Sequence, residues 1–149
     1  MPIAKLWVNI SGMQPTQTQS GAAQSGAPKR ILLVEDDDAL ANVYVTRLQA
    51  EGFDIRRMNN GEEALAAATS YKPDLILLDV MMPKVSGFDA LDILRNTPET
   101  ANVKVIMLTA LSQDSDQDRA KTLGADDYLV KSQVVISDVI DRIRFHLGS

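Results

Sequence analysis

Polar side chains that could do chemistry stand where the apolar runs of this 149-residue chain end. They are Glu35 and Asp36 after residues 31–34, Asp79 after 75–78, Thr109 after 103–108, and Lys131 after 128–130. In an open sheet of parallel strands, binding sites form at the carboxyl ends of the strands. Three carboxylates, a hydroxyl and an ammonium at one such edge suit a divalent cation and a phosphoryl group carried by Asp79.

The elements that would position these side chains alternate between strand and helix. Predicted strands cover about residues 30–35, 54–58, 74–79, 103–108 and 126–130, and predicted helices cover about 38–50, 60 onward, 87–96, 113–123 and 137–147. Such alternation is typical of βαβ units and a parallel sheet. Asn60 followed by Glu63 predicts a capping box at the start of the second helix. The fourth helix has few apolar residues, so we expect it to be the least firmly packed.

Composition limits the classes of protein that fit. The net charge of −5 is uneven, because residues 1–29 carry two lysines and no acid while the remainder is acidic. An acidic domain is poorly suited to direct nucleic-acid binding, which depends on phosphate contacts. No apolar run approaches the roughly 18 residues of a transmembrane helix, and the lack of cysteine fits a reducing compartment. We therefore expect a cytoplasmic protein without direct nucleic-acid or membrane contact.

Residues 1–29 and 30–147 differ in composition and predict two regions. Residues 11–28 are rich in Gln, Ser, Thr, Gly and Ala and have no periodic apolar face. Such a segment cannot bury enough surface to offset its ordering entropy. We interpret residues 1–29 as a disordered N-terminal tail or an added leader, with a short docking element anchored by Trp7 as the alternative. Residues 30–147 are long enough for one globular domain.

Five segments of residues 30–147 resemble a known family. They are ILLVEDD (31–37), DLILLDVMMP (74–83), SG (86–87), VIMLTA (105–110) and GADDYLVK (124–131). In these segments the chain resembles the response-regulator receiver domains of two-component signalling. The resemblance implies an α/β, flavodoxin-like, doubly wound (βα)5 fold with parallel strands in the order 2-1-3-4-5. Its switch point, between strands one and three, would lie between Asp36 and Asp79.

The resemblance also implies a role for each acidic residue of the site. Asp79 would be the phosphoacceptor, taking a phosphoryl group from a histidine kinase or a phosphotransfer protein. Asp36, Asp79 and the Met81 backbone carbonyl would ligate Mg²⁺, and Glu35 would act mainly through a bound water. Mg²⁺ favours such oxygen ligands and retained waters. The plainer alternative is that residues 35–38 are only an acidic helix start, favoured by the helix dipole.

A phosphate-binding and switching set follows from the same resemblance. Lys131 and Thr109 would contact phosphoryl oxygens, and Ala110 belongs to the same switch segment. Tyr128 would turn inward when Thr109 moves toward the phosphoryl group. This local change would alter the face formed by helix four, strand five and helix five, and so control the binding of a downstream protein.

Two departures from the family pattern affect the predicted site. Ser132 replaces the proline that usually follows the family's lysine, and the next loop is about one residue longer, so Lys131 could be placed differently. Met81 and Leu111 put apolar side chains where polar ones in the family speed loss of the phosphoryl group. We therefore predict slow autodephosphorylation.

The last helix carries the remaining charged features. Asp127 and Arg142 could pair, but the fourth helix offers few charges to match those of dimeric receivers, so a weak homodimer stays open. His146, the lone histidine, lies in the last turn of helix five. We predict a surface capping role for it, since a cation is favoured there by the helix dipole.

Other classes of function fit less well. A haloacid-dehalogenase-like phosphatase would need a second aspartate where Met81 stands. A flavodoxin would need a phosphate-cradling loop in place of Glu35 and Asp36. A phosphorylation-independent receiver-like binding module, and a receiver excised from a larger regulator or hybrid kinase, both stay open. Because the expected chemistry is limited to self-phosphorylation and slow self-hydrolysis, we do not expect an enzyme.

Overall fold

A parallel sheet of five strands with helices on both faces forms the domain in the computed structural model, which describes residues 26–148. The strands are β1 (Arg30–Val34), β2 (Asp54–Met58), β3 (Leu75–Leu78), β4 (Lys104–Thr109) and β5 (Asp127–Val130). The helices are α1 (Asp38–Ala50), α2 (Gly61–Ser70), α3 (Gly87–Arg95), α4 (Asp114–Leu123) and α5 (Ile136–Leu147). The strand order β2-β1-β3-β4-β5 confirms the predicted doubly wound topology. Most of the predicted tail, including the docking element around Trp7, lies outside the described residues.

The core has two halves because side chains alternate between the two faces of each strand. On one face Leu33 of β1 packs in a cluster with Leu48 of α1 and Ile143 of α5. On the other face Leu32 packs in a cluster with Leu91 of α3. The strands β1, β3 and β4 are apolar on both faces, as expected for parallel strands covered on both sides. The sheet is thereby held as a rigid platform for the residues at its edge.

The observed ends of two strands differ by one residue from the predicted ends. β3 ends at Leu78, one residue earlier than predicted, so Asp79 is the first residue after the strand. β4 runs one residue further than predicted and ends at Thr109. A short 3₁₀ helix, Lys131–Gln133, follows β5 directly and precedes α5. These one-residue differences are within the usual uncertainty of element ends.

The N-cap residue predicted for α2 is confirmed, but the predicted capping box is only half formed. The Asn60 side chain accepts a hydrogen bond from the Glu63 amide at 2.9 Å, whereas the return bond to the Glu63 side chain is not formed. Asp37 and Ser86 cap α1 and α3 in the same way. In α4, by contrast, Gln113 makes no side-chain cap bond and only Ala120 is fully buried. The weak packing predicted for α4 is therefore seen. Within residues 26–148, no helix has the length and apolar character to cross a membrane.

Candidate functional site

Four of the predicted site residues meet at the carboxyl edge of the sheet. Carboxylate oxygens of Glu35, Asp36 and Asp79 all lie within 4.8 Å of one another. The Lys131 amine donates to Glu35 Oε1 at 2.6 Å and to Asp79 Oδ2 at 3.0 Å. We call these four residues the site cluster. Glu35 and Asp79 are 2% and 5% exposed, whereas Asp36 is open to solvent.

Lys131 reaches the acids although Ser132 follows it. The 3₁₀ helix Lys131–Gln133 begins at the lysine itself, and the side chain is 20% exposed. β5 pairs with β4 up to Val130, opposite Thr109, so the lysine emerges at the same edge as the acids. The altered junction does not carry Lys131 away from the site cluster.

Asp79 is fixed by both its backbone and its side chain. Its amide donates to the Val34 carbonyl at 3.2 Å, and its Oδ1 accepts from the Met81 amide at 3.2 Å. Gly87 packs so closely that a Cβ atom there would overlap the Asp79 carbonyl oxygen. Gly87 was recognised in the sequence as part of a motif. Its close packing against the Asp79 backbone was not predicted.

Glu35 is held by β2 as well as by the cluster. Its amide donates to the Met58 carbonyl at 3.1 Å, and its Oε2 accepts from the Asp37 amide at 3.1 Å. Its backbone carbonyl accepts two hydrogen bonds from Arg57, at 2.9 Å from Nε and 2.6 Å from Nη2. Sequence reasoning gave Arg57 no role.

The electrostatics of the site cluster favour an added cation. Burial raises the pKa of the Glu35 carboxyl, and the charge of Asp79 adds to this rise while Lys131 opposes it. Burial disfavours the charged Lys131 amine, but hydrogen bonds and charges from Glu35 and Asp79 outweigh burial and raise the pKa of Lys131. Burial, and not the neighbouring acid, is the largest cause of the raised pKa of Glu35. The oxygens of the three grouped carboxylates form a donor set that suits a hard divalent ion.

Thr109 and Tyr128 are connected through the backbone of Leu111. Thr109 is fully buried, and its Oγ1 accepts from the Leu111 amide at 3.4 Å. The Tyr128 hydroxyl donates to the Leu111 carbonyl at 2.8 Å. Burial, with the charges of Asp116 and Asp79, raises the pKa of Tyr128 to about 12. The phenol is therefore a neutral donor at physiological pH.

The remaining predicted residues lie on the open side of the site. Ala110 directly follows Thr109 and is exposed. Met81 is 58% exposed beside Asp79. Leu111 is only partly exposed, because its side chain packs against the core. Of the two residues predicted to tune phosphoryl lifetime, Met81 is the more open to solvent.

A comparison with protein families assigns the chain to a known family. The family described as the response regulator receiver domain matches residues 31–144. The chain belongs to this family. It is the receiver domain of a two-component response regulator, and the predicted family resemblance is confirmed.

Curated relatives of the receiver domain include both long and short regulators. The DNA-binding dual master transcriptional regulator RpaA of Synechocystis sp. is 39% identical over 115 residues, which cover 77% of this chain and 47% of RpaA. The polar-differentiation response regulator DivK of Brucella anthropi is 32% identical over 121 residues, which cover 81% of this chain and 98% of DivK. The chain thus spans about half the length of RpaA but nearly all of DivK.

Solved receiver structures share the same architecture. The BeF3-activated N-terminal receiver domain of Klebsiella pneumoniae RstA aligns with a TM-score of 0.76 at 28% identity, covering 81% of this chain and all of that one. The chemotaxis protein CheY4 of Vibrio cholerae aligns with a TM-score of 0.74 at 26% identity, covering 79% of this chain and 98% of that one.

A second charged cluster of the receiver domain joins β5 to α5. Asp127 accepts from Arg142 Nε at 2.6 Å within the same chain and lies 2.9 Å from His146 Nε2. We call these three residues the β5–α5 cluster. The surface capping role predicted for His146 is wrong, because its side chain is only 12% exposed and faces Asp127. The helical spacing placed His146 in the last turn but could not show that β5 lies beneath it.

Proposed function

We propose that Asp79 accepts a phosphoryl group from a histidine kinase or a phosphotransfer protein. The observation that carries this proposal is the placement of the buried Asp79 carboxylate, within 4.8 Å of two other acids and bonded to Lys131. A carboxylate can form an acyl phosphate, and the transfer depends mainly on alignment and charge neutralisation. An Asp79 oxygen would attack phosphorus while the bond between phosphorus and the donor atom breaks. The electron pair of that breaking bond would stay on the donor.

The neighbouring residues would divide the charge of the phosphoryl oxygens. Lys131 already contacts Asp79 Oδ2 and would remain close to the acyl phosphate as a point-charge donor. Thr109, with the backbone near Ala110, would contact a further oxygen. Asp36 and Asp79 would hold Mg²⁺ directly, with the Met81 carbonyl, and Glu35 would act through water. The ion supplies positive charge that offsets repulsion between the carboxylates and the incoming group.

The structural effect of phosphorylation would reach the protein surface through Thr109, Leu111 and Tyr128. Movement of the Thr109 hydroxyl toward the phosphoryl group would disturb its bond with the Leu111 amide, and the Leu111 carbonyl holds Tyr128. Tyr128 lines a cavity of about 340 Å³ between α4 and β5, and α4 is weakly packed. The α4-β5-α5 face would thereby change its affinity for a downstream protein, either a separate partner or another part of a longer chain.

The test is the intact mass of the full chain after incubation with Mg²⁺ and acetyl phosphate. We expect one added phosphoryl group in the wild-type protein and none in Asp79→Asn or after chelation of Mg²⁺. An adduct that persists in Asp79→Asn would place the phosphoryl group elsewhere. A folded protein that binds Mg²⁺ but gains no phosphoryl group, even from a histidine kinase, would favour a phosphorylation-independent binding module.

The lifetime of the phosphoryl group tests the role of Met81. This exposed apolar side chain would keep water from the acyl phosphate, so Met81→Asn should shorten the lifetime several-fold. Leu111→Asn is a weaker test, because Leu111 also packs against the core. Decay followed by intact mass after removal of the donor gives the two lifetimes. Equal lifetimes in wild type and Met81→Asn would remove Met81 from the proposal.

A further inference from the structure

Arg57 of β2 contacts the site cluster without entering it. Its side chain is 23% exposed, and its two hydrogen bonds to the Glu35 carbonyl span 22 residues of sequence. A third nitrogen, Nη1, lies 2.8 Å from Asp38 Oδ1 at the start of α1. One planar guanidinium therefore joins three elements, β2, the end of β1 and the first turn of α1.

The neighbouring arginine shows that this contact is specific to one face of β2. Successive side chains of a strand point to opposite faces. Arg56 accordingly lies on the other face, with its guanidinium 4.3 Å from the centre of the Tyr71 ring. The strand thus carries two adjacent arginines of equal charge, only one of which touches the site.

The Arg57 contact fixes the backbone next to Asp36. The Glu35 carbonyl and the Asp36 amide belong to one planar peptide unit, so a fixed carbonyl fixes the orientation of that unit. On the other side of Asp36, Asp37 is anchored as the cap of α1 by its bond from the Leu40 amide at 3.0 Å. The Asp36 side chain itself is exposed. The backbone is therefore held on both sides of Asp36, and this backbone sets the direction in which the Asp36 carboxylate leaves the chain.

We propose that Arg57 is a positioning residue of the divalent-cation site, holding the Glu35–Asp36 peptide so that both carboxylates face the cation. This inference rests on the proposed function, because it presupposes that the site cluster binds Mg²⁺. A guanidinium at this position could act on cation affinity in two opposite ways. Its charge repels a nearby cation, whereas its hydrogen bonds organise the ligands. Removal of Arg57 tightens cation binding if only the charge acts, and weakens it if the hydrogen bonds dominate.

The experiment is calorimetric titration of Mg²⁺ into the full chain, comparing wild type with Arg57→Gln, Arg57→Lys and Arg56→Gln. Loss of a partner that orients a metal ligand typically costs tenfold or more in affinity, so we expect Arg57→Gln to bind Mg²⁺ about tenfold more weakly. Arg57→Lys keeps the charge but loses the paired donors, and should be weakened to a similar extent. Arg56→Gln makes the same charge change on the opposite face and should bind as wild type does.

Each outcome of the titration decides a different point. Unchanged or tighter binding by Arg57→Gln overturns the positioning role, and wild-type affinity in Arg57→Lys overturns the assignment to the paired hydrogen bonds. Weakening by Arg56→Gln equal to that by Arg57→Gln would show a general charge effect and also overturns it. If wild type itself binds no Mg²⁺, the proposed function fails together with this inference.

A second measurement separates positioning from loss of folding. The rate of phosphorylation by acetyl phosphate is followed as a function of Mg²⁺ concentration. In Arg57→Gln the half-saturating Mg²⁺ concentration should rise by about the same tenfold factor, while the rate at saturating Mg²⁺ stays close to wild type. A variant that is merely less stable would unfold at lower temperature without this shift, and that result would overturn the proposal.

Discussion

Two clusters of charged residues stand at strand ends in this receiver domain, and their charge balances are opposite. The site cluster groups three carboxylates with one amine, which contacts two of them, Glu35 and Asp79. The β5–α5 cluster places one carboxylate between a guanidinium and an imidazole. Burial acts on Glu35 in the first cluster and on Asp127 in the second. It raises the pKa of Glu35. Burial also opposes ionisation of Asp127, but hydrogen bonds from Arg142 and His146 outweigh burial and lower the pKa of that carboxyl.

The difference in charge balance predicts different contributions of the two clusters to stability. A buried acid without enough partners costs folding free energy until a cation or a proton arrives. An acid whose partners outnumber it is already compensated and stabilises the fold as it stands. We therefore expect substitutions in the two clusters to change stability in different ways, and to differ in their response to Mg²⁺.

The largest effect should come from Lys131→Met. The substitution leaves Glu35 and Asp79 buried without an amine, which should lower the free energy of unfolding by about 3 kcal/mol when Mg²⁺ is chelated. Because a bound cation can replace the missing positive charge, saturating Mg²⁺ should recover part of this loss. Urea unfolding with and without Mg²⁺ measures both quantities.

The control for this prediction is Lys104→Met. Lys104 is an exposed lysine at the opposite end of β4, and its removal should change stability by less than about 0.5 kcal/mol. If Lys131→Met were as mild as this control, the amine would not be compensating the site acids, and the proposed charge imbalance of the site cluster would be wrong.

Asp127→Asn should have the next largest effect. It leaves the largely buried His146 and the half-exposed Arg142 without their shared anion, and should lower the free energy of unfolding by about 1–2 kcal/mol. Mg²⁺ binding and phosphorylation by acetyl phosphate should stay unchanged. Asp141→Asn, at an exposed position of the same helix, is the matched control and should be nearly neutral. A loss of Mg²⁺ affinity in Asp127→Asn would show that the two clusters are not independent.

The pH dependence of this effect has a defined sign. Because the pKa of Asp127 is lowered from its ordinary value of 3.8, the carboxyl contributes stability above that value and loses it as pH falls through the folded-state pKa. The stability difference between wild type and Asp127→Asn should therefore shrink as pH falls from about 5 to below the ordinary pKa of the carboxyl. Urea unfolding of both proteins over this range tests it. A difference that stays constant would mean that Arg142, His146 and the Tyr128 amide do not favour the ionised form.

Much of the fold and the centre of the site could be predicted from the sequence. Strand–helix alternation gave the elements, and the position of Asp79, Thr109 and Lys131 directly after apolar runs gave the edge of the sheet at which they lie. These features can be read from short stretches of sequence, because the residues that directly follow a strand lie at the edge of the sheet. Of these three residues, Asp79 and Lys131 are in direct contact. Asp127 and Arg142 were considered as a pair only in the context of dimer formation, whereas the structure shows them paired within one chain.

The contacts that support the site could not be predicted in this way. Arg57 binds a backbone carbonyl 22 residues away, which depends on the register of β1 against β2. The need for glycine at position 87 depends on how closely α3 approaches the Asp79 backbone. His146 lies on α5, and its partner is on β5. Such contacts depend on packing geometry, and no spacing along a single chain encodes them.

Asp79→Asn should give the smallest change in stability, and it should be an increase. Asparagine keeps an oxygen that can accept from the Met81 amide and Lys131, while the repulsion between this position and Glu35 is removed. We expect the free energy of unfolding without Mg²⁺ to rise by about 1 kcal/mol. Mg²⁺ should stabilise wild type by mass action and the variant far less.

An exposed acid on α4 provides the matched comparison for this last substitution. Asp118→Asn removes the same charge at an exposed position outside the site cluster and should leave both stability and the Mg²⁺ response as in wild type. If Asp79→Asn instead destabilised the protein as Asp127→Asn is expected to, then Asp79 would be a compensated structural acid. A rise in stability together with a lost Mg²⁺ response would mean that Asp79 is retained at the expense of the fold, as a phosphoacceptor requires.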